Sequence, residues 1–184
     1  MVHNTNLAAD PLRVETLALL EQSAARFSDL VQALTEAEWA ATPAGEDWSL
    51  AQISEHITLV EVGSGKLIAR KLYLQPATPE LLAEANGKDA LLRTMLPDRI
   101  GRRIKAPDFV NPVGTWKTRD ELLGEFWKWR GSTIAMLSDP ARDPSLYVAN
   151  HPVWGMLDGR NWGLFLALHL ERHLEQMEER RRGA

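Results

Sequence analysis

Apolar residues recur at intervals of three and four along four long stretches of the chain, the period of helices with one buried face. The first stretch begins at Asp10-Pro11, because aspartate is a preferred N-cap and proline suits the first helical position. Its apolar positions are Leu20, Ala24, Phe27, Val31 and Leu34. We expect this helix to end near Leu34 or Thr35, before the segment 36–47, which a proline and a glycine interrupt.

The second helix is predicted to run from about Leu50 to about Leu74. Ser49 and Gln52 form the S-x-x-Q pattern of a capping box, in which the two side chains satisfy backbone N–H groups at a helix start. The apolar face contains Ile53, Ile57, Val60, Leu67 and Ile68. Pro76 stops the helix, because proline disfavours a helical conformation in the residue before it.

The region between the second and third long helices has a weaker pattern. Residues 79–96 have helical character, which Asn86-Gly87 interrupts. Residues 97–116 show no clear period and contain several prolines. We predict a long irregular connection there, and loops of this length in compact domains are often functional.

The third helix begins at a T-x-x-E capping box formed by Thr118 and Glu121, and Asp139 with the proline after it ends the helix. Its apolar positions are Leu122, Phe126, Trp129, Thr133 and Leu137. Residues 146–148 favour a β conformation but are too few to predict a sheet. The segment 151–155 is therefore interpreted as a connector.

The fourth helix follows Asp158, its predicted N-cap, and Gly183 is its predicted stop. The inner positions of this helix are Trp162, Leu166, His169, His173 and Gln176. Four long amphipathic helices with one shared core predict an all-α four-helix bundle. The length of 184 residues suits one domain spanning 1–184, in which we expect residues 1–9 to be flexible.

Composition narrows the class of protein. The formal net charge of −4 argues against nucleic-acid binding, which needs a basic face. The basic run at 180–182 is interpreted as complementing a helix dipole. The absence of cysteine excludes disulfides, thiolate ligands and cysteine nucleophiles. No apolar stretch has the length of a signal-peptide core or a transmembrane helix, so we expect a cytoplasmic protein without a membrane partner.

His169 and His173 are the most informative polar residues. Residues four apart lie on one helical face, and two such imidazoles can bind one metal ion. The pair continues the apolar stripe, so it should face the interior, where buried imidazoles need polar partners. The polar partner of these imidazoles could be a metal ion, a carboxylate or ordered water. His56 lies on or beside the buried stripe of the second helix, where periodicity fits a third ligand and a core histidine equally well.

Two segments resemble the DinB/YfiT-like superfamily. One is W-S-x-x-x-I-x-E-H, from Trp48 to His56. The other is H-P-x-x-G, then W, then H-x-x-R-H-x-x-Q, which here consists of His151, Pro152, Gly155, Trp162, His169, Arg172, His173 and Gln176. Because the length and the four-helix pattern also agree, the resemblance covers nearly the whole chain.

The resemblance implies a four-helix bundle, often dimeric, with a divalent transition metal bound by one histidine of the second helix and two of the fourth. Carried over residue by residue, the ligands are His56, His169 and His173. Zinc and nickel are the favoured metals, and iron is a further candidate. Three imidazoles leave an open position for substrate, as catalytic sites require.

The resemblance also implies an activity. Relatives include thiol-dependent S-transferases, a thiol-dependent isomerase and metal hydrolases. The leading hypothesis is therefore transfer of a low-molecular-weight thiol to an electrophilic small molecule, with the thiol supplied by a cosubstrate because the chain has no cysteine. The alternatives are a metal-dependent hydrolase and a bundle that binds a small ligand or partner without catalysis.

Several other residues have open roles. His151 is either a pocket-rim residue or the cap of a turn. Gln176 shares the inner stripe and is a candidate contact of a ligand or of the metal-binding histidines. Arg172 lies at the edge of the stripe and is a candidate partner of an acidic residue. Trp127 and Trp129, two apart on one helix, cannot face the same core, so one of them is expected at a homodimer interface or beneath the long loop.

Overall fold

Local sequence signals determine where the helices begin in the computed structural model, which describes residues 10–42, 48–98, 101 and 106–182. The described helices are α1 (Pro11–Ala33), α2 (Glu36–Ala40), α3 (Leu50–Leu67), α4 (Pro79–Ala85), α5 (Lys88–Met95), α6 (Arg119–Ser138) and α7 (Gly159–Arg182). The expected flexible segment 1–9 and the predicted stop at Gly183 lie outside the described residues.

The predicted helix caps are confirmed. The Asp10 carboxylate accepts the N–H groups of the first turn of α1. Capping boxes form at Ser49 with Gln52 and at Thr118 with Glu121. Each cap satisfies N–H groups that have no partner within the helix, which is why local sequence alone locates these starts.

Two helix boundaries differ from the prediction. Residues 36–40, for which no helix was predicted, form the short helix α2, because Thr35 and Glu38 make a further capping box. The break predicted from Pro43 and Gly45 lies outside the described residues. The second long helix is regular only to Leu67 and then widens into one π-helical turn, Ile68–Leu72, ending slightly before the predicted limit at Leu74.

The view that residues 146–148 are too few for a sheet is wrong. Strand β1 (Val148–His151) pairs antiparallel with β2 (Gly155–Asp158), with Val148 opposite Asp158 and His151 opposite Gly155. The predicted connector is the turn of this hairpin. Gly155 has a φ of +73° there, a conformation that favours glycine. Asp158 then caps α7 as predicted, accepting the Asn161 N–H at 2.9 Å.

The four long helices pack as the predicted bundle. Helix α1 lies along α7 and α6, and α3 lies against α6 and α7. Helices α4 and α5 cover the hairpin and α7. Within the described parts of the connection 97–118, the regular structure is a single short 3₁₀ turn, Asp108–Val110. The all-α bundle with a long irregular connection is therefore confirmed.

Apolar packing fills the bundle along its length. One group of buried side chains lies toward the hairpin and includes Leu20, Ile68, Leu157 and Trp162. A second group includes Phe27, Ile53, Ile57, Leu122, Phe126 and Met177. None of the helices in the described ranges combines the length and the apolar character needed to cross a membrane.

The two neighbouring tryptophans of α6 face different surroundings, as expected from their spacing. Trp129 packs against Gly65 of α3, where an added Cβ would lie 2.6 Å from the indole Cε3. Trp127 is 40% exposed. The homodimer suggested by this pair stays a prediction.

Candidate metal centre

Helices α3 and α7 bring His56, His169 and His173 together. The Nε2 atoms of His56 and His169 are 3.3 Å apart. One ring nitrogen of each of the three histidines lies within 4.8 Å of the other two. The ring centroids are separated by 4.5 to 5.3 Å. The predicted three-histidine cluster therefore exists as a geometric unit.

Hydrogen bonds indicate which nitrogen carries the proton in two of the three rings, those of His56 and His173. The Nδ1–H of His56 donates to the Val110 carbonyl at 2.9 Å, which places the lone pair of the neutral ring on Nε2. Nδ1 of His173 lies 2.8 Å from the Oε1 atom of Gln176, an acceptor, so the lone pair of that ring is also on Nε2. These are the contacts that orient histidines for metal binding. Gln176 thus contacts a histidine of the cluster, one of the roles predicted for it.

The separation of the nitrogens fits a bound transition metal. Bonds of about 2.0–2.1 Å at a tetrahedral angle put two imidazole nitrogens roughly 3.3–3.4 Å apart, and the observed distance between His56 and His169 is 3.3 Å. A direct hydrogen bond between the rings would require His169 to carry its proton on Nε2. Neutral imidazoles suit zinc, nickel, iron and copper, so the donor set is chemically compatible with the predicted metals.

Burial favours the neutral form of two of the three histidines. Loss of solvation lowers the pKa of His56 below its ordinary value, although the bond to Val110 opposes this effect. Burial lowers the pKa of His169 much further, and the nearby His173, His56, Arg172 and His151 add to the effect. Unprotonated imidazoles at neutral pH are the form that coordinates metals.

Aromatic rings form part of the wall around the histidines. The Trp48 ring lies 4.8 Å from the ring of His56, and the Phe165 ring lies 5.5 Å from the ring of His169. Such surroundings have a low dielectric constant, which strengthens electrostatic interactions within the site.

Comparison with known proteins agrees with this geometry. The model of the DinB superfamily matches residues 19–177, a range that contains all three histidines. The chain belongs to the DinB superfamily. A protein of Bacillus subtilis (strain 168), described as uncharacterized protein YuaE, is 25% identical over 137 residues, which are 74% of this chain and 79% of that protein. No solved structure matches the chain significantly.

His151 of this DinB-superfamily chain caps the hairpin turn. Its Nδ1 accepts the N–H groups of Val153 and Trp154 at 3.0 and 3.2 Å. Its ring packs between Trp162 and Phe165, with centroids 5.0 and 4.4 Å away. Burial lowers the pKa of His151 to about 4. Of the two predicted roles, the structure supports the turn cap.

Arg172 holds the segment that follows α5. Its Nη1 donates to the carbonyls of Leu96 and Asp98 at 2.7 and 2.8 Å. The guanidinium therefore secures the beginning of the irregular connection against α7. Sequence reasoning anticipated an acidic partner for Arg172 but did not consider this backbone contact.

Sequence reasoning missed a buried ion pair in the bundle. Arg130 is fully buried and donates two hydrogen bonds of 2.9 Å to the Glu61 carboxylate. It also donates to the carbonyl of Leu20 and to Ser23. A signal was present, because Arg130 follows Phe126 by four and precedes Thr133 by three, on the apolar stripe of α6.

Glu55 also has a role that the sequence did not reveal. Its carboxylate accepts the N–H groups of three consecutive loop residues, Val113, Gly114 and Thr115, at 3.1, 2.9 and 2.7 Å. Burial opposes ionisation of Glu55, but these hydrogen bonds outweigh it and lower the pKa of the carboxyl below its ordinary value. Glu55 therefore fastens the long connection to α3, beside His56.

Proposed function

We propose that this protein binds a divalent transition metal with His56, His169 and His173 and transfers a low-molecular-weight thiol to an electrophilic small molecule. The observation that carries the proposal is the convergence of three imidazoles within 4.8 Å. Membership of the DinB superfamily supports it. Zinc and nickel are the first candidates, followed by iron.

The proposed reaction needs a nucleophile that the chain does not contain. The chain has no cysteine, so the sulfur comes from a cosubstrate. A metal with an open position lowers the pKa of a coordinated thiol or water. In the overall reaction the thiol loses its proton to solvent and a carbon–sulfur bond forms. The bond between that carbon and the leaving group breaks, and the leaving group departs with the electron pair.

The chain's own residues supply position and environment. Val110 and Gln176 orient two of the histidine rings through their Nδ1 atoms. Trp48 and Phe165 provide apolar surface next to His56 and His169. This surface limits access of water and favours an electrophile with an apolar body.

Metal binding is tested first. Protein purified without chelator is analysed for bound metals, and zinc and nickel are titrated into the stripped protein. We expect one metal per chain and at least a hundredfold loss of affinity in His169→Ala. Equal affinity of wild type and His169→Ala contradicts the site. Absence of bound metal together with unchanged stability after chelation favours the bundle that binds a ligand without catalysis.

The activity is tested with glutathione, bacillithiol or mycothiol and an aromatic halide as the electrophile, in metal-loaded protein. We expect conjugation by wild type and background rates in His169→Ala. Equal rates in the two proteins contradict thiol transfer. Turnover of esters or amides without any thiol supports metal-dependent hydrolysis instead, in which water is the nucleophile.

A further inference from the structure

We infer that Glu55 is a positioning residue for His56, acting through the loop 110–115. This inference rests on the proposed metal site, because its consequence is the orientation of one ligand. Glu55 and His56 are consecutive residues of α3, and each is bonded to the backbone of the same loop.

The coupling between Glu55 and His56 begins with the hydrogen bonds that fix the loop to Glu55. Its Oε1 accepts the N–H groups of Val113 and Thr115, and its Oε2 accepts that of Gly114. Gly114 has a φ of +76°, which favours glycine and turns the chain around the carboxylate. Hydrogen bonds from N–H groups to an ionised carboxylate are about twice as strong as those between neutral groups.

Side-chain burial gives this part of the loop little other support. Val113 is 81% exposed, and Phe109, before the buried Val110, is 71% exposed. Apolar burial is the main stabilising term in most packed loops. Here it comes from Val110, before the segment 113–115, and from the half-buried Trp116, after it. The carboxylate of Glu55 is therefore the principal anchor of residues 113–115.

The second step leads from the loop to the histidine. Val110 is 5% exposed, and its carbonyl accepts the Nδ1–H of His56 at 2.9 Å. That bond fixes the tautomer and the rotation of the imidazole, and so directs Nε2 toward His169. Because only two residues separate Val110 from Val113, releasing the loop at 113–115 loosens the carbonyl, which then depends on the burial of the Val110 side chain alone.

The two effects are reciprocal. Coordination at Nε2 makes Nδ1–H a better donor and strengthens its bond to the carbonyl. A loop that favours metal binding must in turn be stabilised by the metal, by the same coupling free energy. Metal binding at the histidines should therefore slow hydrogen exchange of the amides at 113–115, which no metal ligand touches directly.

The experiment compares zinc affinity in wild type, Glu55→Gln and Glu55→Ala by calorimetric titration, with folding of each variant checked by circular dichroism. We expect at least a 10-fold loss in Glu55→Ala, as for other residues that orient metal ligands. The zinc affinity of Glu55→Gln should lie between those of wild type and Glu55→Ala, because the glutamine amide keeps one acceptor oxygen. Glu38→Gln is the matched control, since Glu38 also accepts a backbone N–H, at the start of α2. Its affinity should equal that of wild type.

A second measurement separates positioning from general destabilisation. Nitrogen-15 NMR of the metal-free protein reports the tautomer of His56, which should be Nδ1–H in wild type and a mixture in Glu55→Ala. Folded Glu55→Ala that binds zinc within twofold of wild type overturns the role of Glu55 alone, provided that His56→Ala loses affinity. Wild type that binds no zinc overturns the metal site, and the role of Glu55 with it.

Discussion

Acidification should destabilise the protein through His151, in the turn of the hairpin. The Nδ1 of this ring accepts two backbone N–H groups, so the proton of the neutral ring is on Nε2. A second proton would have to enter at Nδ1, facing the N–H groups of Val153 and Trp154. The ring is also only 7% exposed, and its burial lowers the pKa from 6.5 to about 4.

The pKa values give the size and the direction of the effect. Above pH 6.5 the ring is neutral in both states, and its contribution to stability is fully present. As the pH falls, the unfolded chain takes up the proton first, so the free energy of unfolding decreases until the pH reaches about 4. At about 1.4 kcal/mol for each pH unit, the total loss is roughly 3 kcal/mol, a large part of the ~5–15 kcal/mol typical of a domain.

The assay is urea unfolding of wild type and His151→Asn between pH 7.5 and 4, followed by circular dichroism. Chelator is present throughout, so that metal release does not contribute. Asparagine does not titrate and offers a side-chain oxygen to the N–H two residues on, as in other turns. Other titrating groups are common to both proteins and cancel in the difference.

We expect the variant to have a lower free energy of unfolding than wild type at pH 7.5. The difference in free energy of unfolding between the two proteins should shift by about 3 kcal/mol in favour of the variant as the pH falls to 4. Parallel stability profiles of the two proteins would show that His151 titrates normally in the folded state. The turn would then be open to water, contrary to the burial of the ring.

Two further predictions concern the interior of the bundle: one tests the buried ion pair and the other the contact between α3 and α6. Glu61→Leu should lower the free energy of unfolding by about 3–5 kcal/mol, because it leaves the Arg130 charge buried without its carboxylate. Adding Arg130→Met should recover most of this loss in chemical denaturation, and a double variant as unstable as the single one would contradict the reasoning. Gly65→Ala should cost about 1–3 kcal/mol, because its Cβ would lie 2.6 Å from Trp129. Gly63→Ala, with open space around it in the same helix, should gain up to about 1 kcal/mol. Equal melting temperatures of the two glycine variants would refute the clash.

The parts of the structure that were predictable from sequence depend on local interactions. Each helix cap bonds N–H groups no more than three residues away, so its effect is visible in a short stretch of sequence. These caps are Asp10, Ser49, Thr118 and Asp158. The pairing of His169 and His173 follows from helical spacing alone. The third histidine required the family resemblance, because periodicity did not distinguish a ligand from a core residue.

The features that were missed depend on residues distant in sequence. The hairpin is stabilised by burial of Ala149 and Leu157 in a cluster that includes Leu20 and Ile68. These packing partners lie far outside the eleven residues of the hairpin itself. Glu55 receives its hydrogen bonds from positions 58 to 60 residues away. Glu61 and Arg130 are 69 residues apart. A buried charge is a reasonable prediction only when its partner is known.

The division of the histidines between α3 and α7 has a consequence for the way the polypeptide chain reaches its native state. His56 and His169 are 113 positions apart, so an ion held by both would act as a cross-link that closes a very large ring. In the chain-entropy model, closing a ring of about this size lowers the entropy of the denatured chain. This would stabilise the folded state by roughly 4–5 kcal/mol. During synthesis the ring cannot close until α7 has left the ribosome and docked. High-affinity metal capture would therefore mark the completion of the bundle.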